Sequence, residues 1–219
     1  ATNPDLFQAV PKSPFSYWVS DKAIKLFFKY SASEDFYDTR CGMGTLDDFR
    51  FLRLFWEVET VYQDENRILF AKGGKLSFYY SDVHLTVKWK DEGKELKIFV
   101  ANKVGSASRK IQAVNYYFRP GLTYPARTVS GLNVRVMPRG CIFSHKGPAI
   151  FSNGDAPNEL LALLALVNSE AFHSLVELQM TVGSYEVGVI QRTPVPEIDS
   201  ETKACMTNFA RRAWSLKRN

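Results

Sequence analysis

One stretch of the sequence, residues 97–154, contains nine lysine and arginine residues and no aspartate or glutamate. The formal net charge of the whole chain is only +5, so the residues outside this stretch together carry −4. Positive charge is therefore concentrated in the middle of the chain and is not spread over it. The nine cations are Lys97, Lys103, Arg109, Lys110, Arg119, Arg127, Arg135, Arg139 and Lys146.

Aromatic side chains and glycines lie between these cations. Tyr116, Tyr117, Phe118 and Tyr124 are interspersed with the arginines, and several glycines punctuate the same stretch. Concentrated positive charge with interleaved aromatic residues is typical of a surface that binds a polyanion, most often nucleic acid. Charge alone is equally consistent with a solvated basic face that has no partner.

The composition is that of an ordinary globular protein. Hydrophobic residues make up 45% and charged residues 23% of the 219 residues, which is enough for a sizeable core in one large domain, or in a domain with an appendage. The cysteines (Cys41, Cys141 and Cys205) are odd in number and far apart, and they predict a reduced, cytoplasmic protein. No apolar run reaches the roughly 18 residues of a membrane span, and no signal peptide is recognisable. The start at Ala1 and the basic end at Asn219 indicate a piece of a longer protein.

Periodicity predicts helices at both ends of the chain. Residues 1–13 read as a linker and residues 14–18 as an aromatic cover of the core. A helix is predicted from Asp21 to about residue 30, and Thr45 and Asp48 have capping-box-like spacing. Near the C-terminus we predict a buried apolar helix through Leu160, a second helix capped by Ser169, an extended segment at residues 183–196, and a last helix from Ser200.

The middle of the chain has strand-like patterns. Strands are predicted at residues 51–58 and 68–70, and a hairpin at residues 84–100 with its turn at residues 90–94. Alternation at residues 132–137 predicts that Arg135 projects from the face opposite the core. The predicted fold is therefore α+β, with a twisted, mainly antiparallel sheet and helices packed around it.

Catalytic signals are weak. Asp82, Glu92 and Lys94 form at best a loose metal-nuclease pattern, and charged residues in a turn are usually solvated. Cys141 and His145 are close in sequence but have no nucleophile motif. The K-G-G-K sequence at residues 72–75 lacks the rest of a phosphate-binding loop. The sequence also lacks an N-P-P-Tyr/Phe loop and a glycine-rich cofactor strand, so we predict a non-catalytic chain that binds no metal or cofactor.

Several stretches, in order, resemble the C-terminal target-recognition region of PglX-like adenine-specific DNA methyltransferases of phage-defence systems and their type IIG relatives. They are PFSYWVSD (14–21), GMGT running into DDFRFLR (42–53), FAKGG (70–74), YFRPGLTYP (117–125), LLALVNS (163–169) and QRTPVPE (191–197). The resemblance covers residues 14–198 and leaves 199–219 as a C-terminal helix. One departure is Leu46, which follows Thr45 where the family has glycine, so the turn is expected to differ there.

This resemblance implies a division of labour. An upstream domain, outside this chain, would use S-adenosylmethionine to methylate a flipped adenine, while this chain clamps double-stranded DNA and reads its base edges. The candidate DNA-contacting residues are Arg109, Lys110, Arg119, Arg127, Arg135, Arg139 and Lys146, with Lys72 and Lys75 as weaker candidates. Arg119 also fits a purely structural role beside Pro120 and Gly121.

Two alternatives remain open. The chain could be an interaction module of a phage-defence complex that exposes its apolar helices together with Tyr79 and Tyr80. It could also be the metal nuclease considered above.

Overall fold

The computed structural model describes residues 21–58, 66–180 and 183–219, and it has an α+β architecture. The linker at residues 1–13 and the aromatic cluster at residues 14–18 lie outside the described residues. The helices are α1 (Asp21–Lys29), α2 (Asp48–Phe51), α3 (Lys90–Val104), α4 (Pro157–Val167), α5 (Glu170–Glu177), α6 (Val187–Arg192) and α7 (Ser200–Arg218). The strands are β1 (Tyr37–Arg40), β2 (Leu52–Leu54), β3 (Arg67–Ala71), β4 (Leu85–Lys88), β5 (Gly121–Thr123), β6 (Arg135–Met137), β7 (Cys141–Phe143) and β8 (Ala149–Ser152).

The strands form two four-stranded sheets within the described residues. The first sheet has the order β1-β8-β5-β6 and is antiparallel throughout. The second has the order β2-β4-β3-β7, and its β3–β7 pair is parallel. The turn at residues 144–147 connects β7 of the second sheet to β8 of the first. The chain thus passes from one sheet to the other at that turn.

Two hydrophobic cores lie on opposite sides of the first sheet. The core shared by the two sheets contains Phe70 and Val87 from the second sheet, Phe151 from the first, and Leu96 and Val100 from α3. The other core lies between the first sheet and the C-terminal helices. Its buried members include Leu122, Ile150, Leu160, Leu164, Phe172, Val176, Val189 and Ala210. The first sheet is consequently covered on both faces.

Most of the predicted helices are confirmed. The helix at Asp21 ends at Lys29, and α4 buries Leu160, Ala162, Leu163, Leu164 and Val167. The Ser169 side chain accepts a hydrogen bond from the Phe172 amide at the start of α5. The last helix begins at Ser200, with Asp199 as its N-cap. No single described helix is both long and apolar enough to cross a membrane. By that test α4 and α5 qualify only as a pair, bent by 65°.

The predicted hairpin at residues 84–100 is wrong. Its first half is β4, but the turn leads into α3, whose first residues Asp91, Glu92 and Gly93 have left-handed backbone angles. Leu96 and Val100 are buried while Ile98 is 53% exposed. The apolar residues therefore follow the period of a helix, four residues apart, rather than the alternation of a strand.

Two other extended segments were also wrong in part. The strand predicted at residues 51–58 is limited to β2, because a 3-10 turn at Phe55–Glu57 ends it. The segment at residues 183–196 contains α6, where the consecutive residues Val189 and Ile190 are both buried. In both cases short runs of apolar residues are compatible with a helix and with a strand.

A glycine contact joins the end of β3 to the turn between the sheets. A β-carbon on Gly147 would overlap the backbone nitrogen of Gly73, and one on Gly73 would lie 2.6 Å from the carbonyl oxygen of Lys146. The two backbone segments can approach this closely only because neither residue has a side chain. The position of the 72–75 loop is therefore fixed by backbone packing against residues 146 and 147.

Replacing Gly147 by alanine should destabilise the protein by about 3 kcal/mol, because the added methyl group forces the two backbone segments apart. Urea unfolding monitored by circular dichroism measures this change. Gly44→Ala is the control, since its β-carbon would meet only the exposed ring of His145, 3.1 Å away, which can rotate. Equal losses in the two variants would contradict the proposed importance of the Gly73–Gly147 contact.

Candidate nucleic-acid interface

A cleft of about 570 Å³ lies at the end of both sheets where β3 finishes and β4 begins. One wall is the loop at residues 72–75, hereafter the glycine loop, and the other comes from residues 81–85. Arg135 and Thr123, which are paired across β5 and β6, form part of its base. The K-G-G-K sequence thus lines this cleft even though it is not a complete phosphate-binding motif.

Five of the predicted DNA-contacting residues gather at this end of the molecule. Lys72, Lys75 and Arg135 line the cleft. The carbonyl oxygen of Lys146, which packs on Gly73, accepts a hydrogen bond from the Ala126 amide at 3.0 Å, so Lys146 and Arg127 flank the glycine loop. We call Lys72, Lys75, Arg127, Arg135 and Lys146 the basic end.

Lys72 is held in place by a carboxylate. Its ammonium group forms an ion pair with Asp48, which also accepts a hydrogen bond from the Thr45 hydroxyl at 2.6 Å. Partial burial raises the pKa of Asp48, but the hydrogen bonds from Lys72 and Thr45 and the charges of Lys72 and Lys146 outweigh it and hold the pKa below its usual value. The capping-box-like pair seen in the sequence thus anchors a lysine of the basic end.

Between Thr45 and Asp48, Leu46 takes the backbone conformation that glycine favours. Its φ is 59°, in the left-handed region where a leucine side chain is strained. The turn therefore has a left-handed residue at the position where the family pattern has glycine. Leu46 also remains 46% exposed and lies beside Lys146 in a smaller cleft next to the glycine loop.

Arg135 does not project into solvent as predicted. It is only 3% exposed, and its Nη1 donates a hydrogen bond to the carbonyl oxygen of Lys75 at 3.0 Å. The sequence interpretation placed the core on one face of β6 only. Met137, on the same face as Arg135, is completely buried in the core shared by the sheets, so both faces of this strand are covered.

Aromatic side chains border the basic end. Phe49 is 94% exposed and Trp56 60% exposed, and both are within the segment that follows Asp48. Phe49 lines a shallow groove that includes Lys72, and Trp56 contacts His84, which lines the cleft. Exposed rings beside cations are suited to stacking on bases or sugars. The sequence interpretation had placed Trp56 in a regular strand at residues 51–58 and missed this arrangement.

Arg119 and Arg139 lie at the opposite end of the β5–β6 pair from Thr123 and Arg135. The guanidinium of Arg119 forms an ion pair with Asp155 at 2.7 Å and also donates to the carbonyl oxygen of Ser152. These contacts correspond to the structural role considered for it. Arg139 is exposed in the turn before β7.

Arg109 and Lys110 are exposed on the segment after α3, where Arg109 donates to the carbonyl oxygen of Val104. The carbonyl oxygen of Lys110 accepts a hydrogen bond from the Gly44 amide at 2.7 Å. The structure therefore brings together five of the nine candidates and places Arg119 and Arg139 at the far end of the β5–β6 pair.

The alternative catalytic residues are not assembled. Asp82 precedes β4 and Glu92 follows it, so the strand separates them by its length. Cys141 is buried, which raises the pKa of its thiol to about 12, whereas His145 is exposed on the following turn. Among the described residues no group of three His, Cys, Asp or Glu side chains is arranged to hold a metal ion.

Comparison with known proteins finds two similar adenine-specific methyltransferases. The chain is 26% identical over 235 residues to PglX of Lacticaseibacillus casei (strain Zhang), which covers 97% of this chain and 19% of that protein. It is 27% identical over 198 residues to BrxX of Escherichia coli O9:H4 (strain HS), which covers 86% of this chain and 15% of that protein. The chain thus spans less than a fifth of the length of these relatives. No protein-family model matches it.

The Asp48 ion pair should make stability depend on pH. Because the folded-state pKa of Asp48 is depressed, its contribution is present at neutral pH and is lost as the pH falls below the usual value of 3.8. Asp48→Asn should be less stable than the native protein at pH 7, and the difference should shrink toward pH 2. Urea unfolding at several pH values tests this, with Glu92→Gln as an exposed control. A difference that stays constant over this range would exclude the ion pair as its cause.

Proposed function

We propose that this chain is a DNA-binding target-recognition segment, which supplies sequence specificity to an adenine-N6 methyltransferase domain elsewhere in the same protein. The observation that carries the proposal is the basic end, which brings together five cations from four separate parts of the sequence. Lys72, Lys75 and Arg135 line one cleft, and Arg127 and Lys146 flank the glycine loop that forms its wall. Similarity to two adenine-specific methyltransferases, over a small part of each, supports the same division of labour. The α+β fold then serves as a non-catalytic recognition domain, and S-adenosylmethionine would bind to the methyltransferase domain.

Two kinds of contact are proposed for the basic end. Lys75, Arg127 and Lys146 are exposed and form no ion pair among the described residues, so they are suited to phosphate groups along the DNA backbone. The exposed rings of Phe49 and Trp56 border the same surface and are suited to bases or sugars. Phosphate contacts would fix the position of the duplex, and contacts in the grooves would select the sequence.

The two alternatives lack this support. An interaction module that exposes its apolar helices does not fit α4, because Leu160, Leu163 and Leu164 are buried in the core next to the first sheet. A metal nuclease does not fit Asp82 and Glu92, which lie at opposite ends of β4.

Duplex DNA should bind with a strong dependence on salt. If the five cations of the basic end meet phosphates, the slope of log K against log[salt] should be roughly −4 to −5. The double substitution of Lys75 and Lys146 by alanine should reduce that slope by about 2 and weaken binding to all sequences alike. Fluorescence anisotropy with labelled duplexes at several salt concentrations measures both effects.

Arg139→Ala is the matched control, because Arg139 is also exposed but lies at the other end of β6. It should leave the slope unchanged. If Arg139→Ala lost DNA binding while the Lys75 and Lys146 double variant kept it, the DNA surface would lie elsewhere on the molecule. No binding at low salt by either this chain or the longer protein that contains it would refute the proposal.

A further inference from the structure

Arg135 is a buried cation with unused hydrogen-bonding capacity. Of its two terminal nitrogens, Nη1 donates to the carbonyl oxygen of Lys75, whereas Nη2 is buried and has no partner among the described residues. No carboxylate among the described residues forms an ion pair with it, and burial lowers its pKa without an opposing charge. A charge enclosed in this way is unfavourable unless something else neutralises it.

The loop above Arg135 also has unused donors. In the described structure, the backbone N–H groups of Gly73, Gly74 and Lys75 donate no hydrogen bond. Gly74 lies directly over the guanidinium, since a β-carbon there would be 3.3 Å from Nη2. Gly73 and Gly74 both have positive φ, at 81° and 135°, so the loop has conformational freedom that other residues lack.

Some of the charged groups that face the cleft have a partner, and others have none. Lys72 is paired with Asp48, and the carboxylate of Asp82 accepts a hydrogen bond from the Tyr80 hydroxyl at 2.6 Å. Lys75 is exposed and has no ion pair, and Arg135 has none either. The cleft therefore has positive charge and amide donors available on the glycine-loop side.

We propose that the glycine loop and Arg135 form a binding site for one phosphate group, with Arg135 at its base, backbone amides of the loop above it and Lys75 at its entrance. A tetrahedral dianion or a phosphodiester would supply the missing negative charge and accept from Nη2 and the loop amides. Access to Nη2 would need a small shift at Gly74, which contacts the guanidinium and lies outside the contact that residues 146 and 147 make with Lys72 and Gly73. The phosphate is either a free ion or part of the DNA backbone. The second source rests on the function proposed above.

A purely structural role for Arg135 makes a different prediction about stability. If Arg135 only supports the carbonyl of Lys75, replacing it should destabilise the protein. If it is retained for binding, Arg135→Met removes an uncompensated buried charge, and the melting temperature in phosphate-free buffer should stay the same or rise.

The test uses the 219-residue chain in chloride buffers of matched ionic strength with and without inorganic phosphate. Phosphate at ten times its dissociation constant should raise the melting temperature of the native chain by about 4 °C. Arg135→Met should abolish this rise without lowering the melting temperature in chloride, and Gly74→Ala should reduce it. The control Arg139→Met should show the full rise. No rise in the native chain, or a full rise in Arg135→Met, would overturn the site.

A DNA-binding experiment distinguishes a free phosphate ion from a phosphate of the DNA backbone. If the phosphate belongs to the duplex, Arg135→Met should weaken DNA binding by about tenfold, and free phosphate should compete with DNA beyond its effect on ionic strength. Full DNA affinity in Arg135→Met, together with loss of the phosphate-induced rise, would assign the site to a free phosphate compound. Retained phosphate binding without any DNA binding would refute the proposed function and leave this site intact. DNA binding without a phosphate-induced rise in melting temperature would refute this phosphate site and leave the proposed function intact.

Discussion

The close contact between the backbones of Gly73 and Gly147 determines how the candidate interface is built. It brings the loop after β3 against the turn that carries the chain from the second sheet to the first. Lys72 and Lys75 belong to that loop and Lys146 to that turn, so the same contact places cations far apart in sequence on one surface. A side chain at either glycine would separate the loop from the turn and would open the cleft as well as disturb the packing.

The basic end combines fixed and free charges. Lys72 is held by Asp48 and Arg135 is held by the carbonyl of Lys75, whereas Arg127 and Lys146 are exposed. Positioned donors lose little freedom on binding, and mobile surface cations adjust to the path of a polyanion. An enclosed arginine without a counter-ion is costly in the free protein, and this cost is consistent with a residue kept for a ligand rather than for stability.

The sequence predicted the fold class, the helices α4, α5 and α7 and the concentration of charge, but not how the charges are arranged. Buried helices such as α4 have long apolar patterns that can be recognised in the sequence without knowledge of the tertiary packing. The hairpin prediction failed because Leu96 and Val100 fit both periods, and tertiary packing decides between them. The burial of Arg135 depends on the second sheet covering β6, which no local pattern encodes. For the same reason the role of Asp48 as partner of Lys72, 24 residues later in the sequence, could not be foreseen.

The passage of the chain between sheets at residues 144–147 has an evolutionary consequence. This short turn joins β7 of the second sheet to β8 of the first, so inserted or deleted residues there would shift one sheet relative to the other. Changes in chain length are better tolerated at the exposed residues Val129 and Ser130, in the connection between β5 and β6, which does not link the two sheets. A lineage that acquires a new binding preference would therefore be expected to exchange side chains around the turn while it keeps the backbone path unchanged.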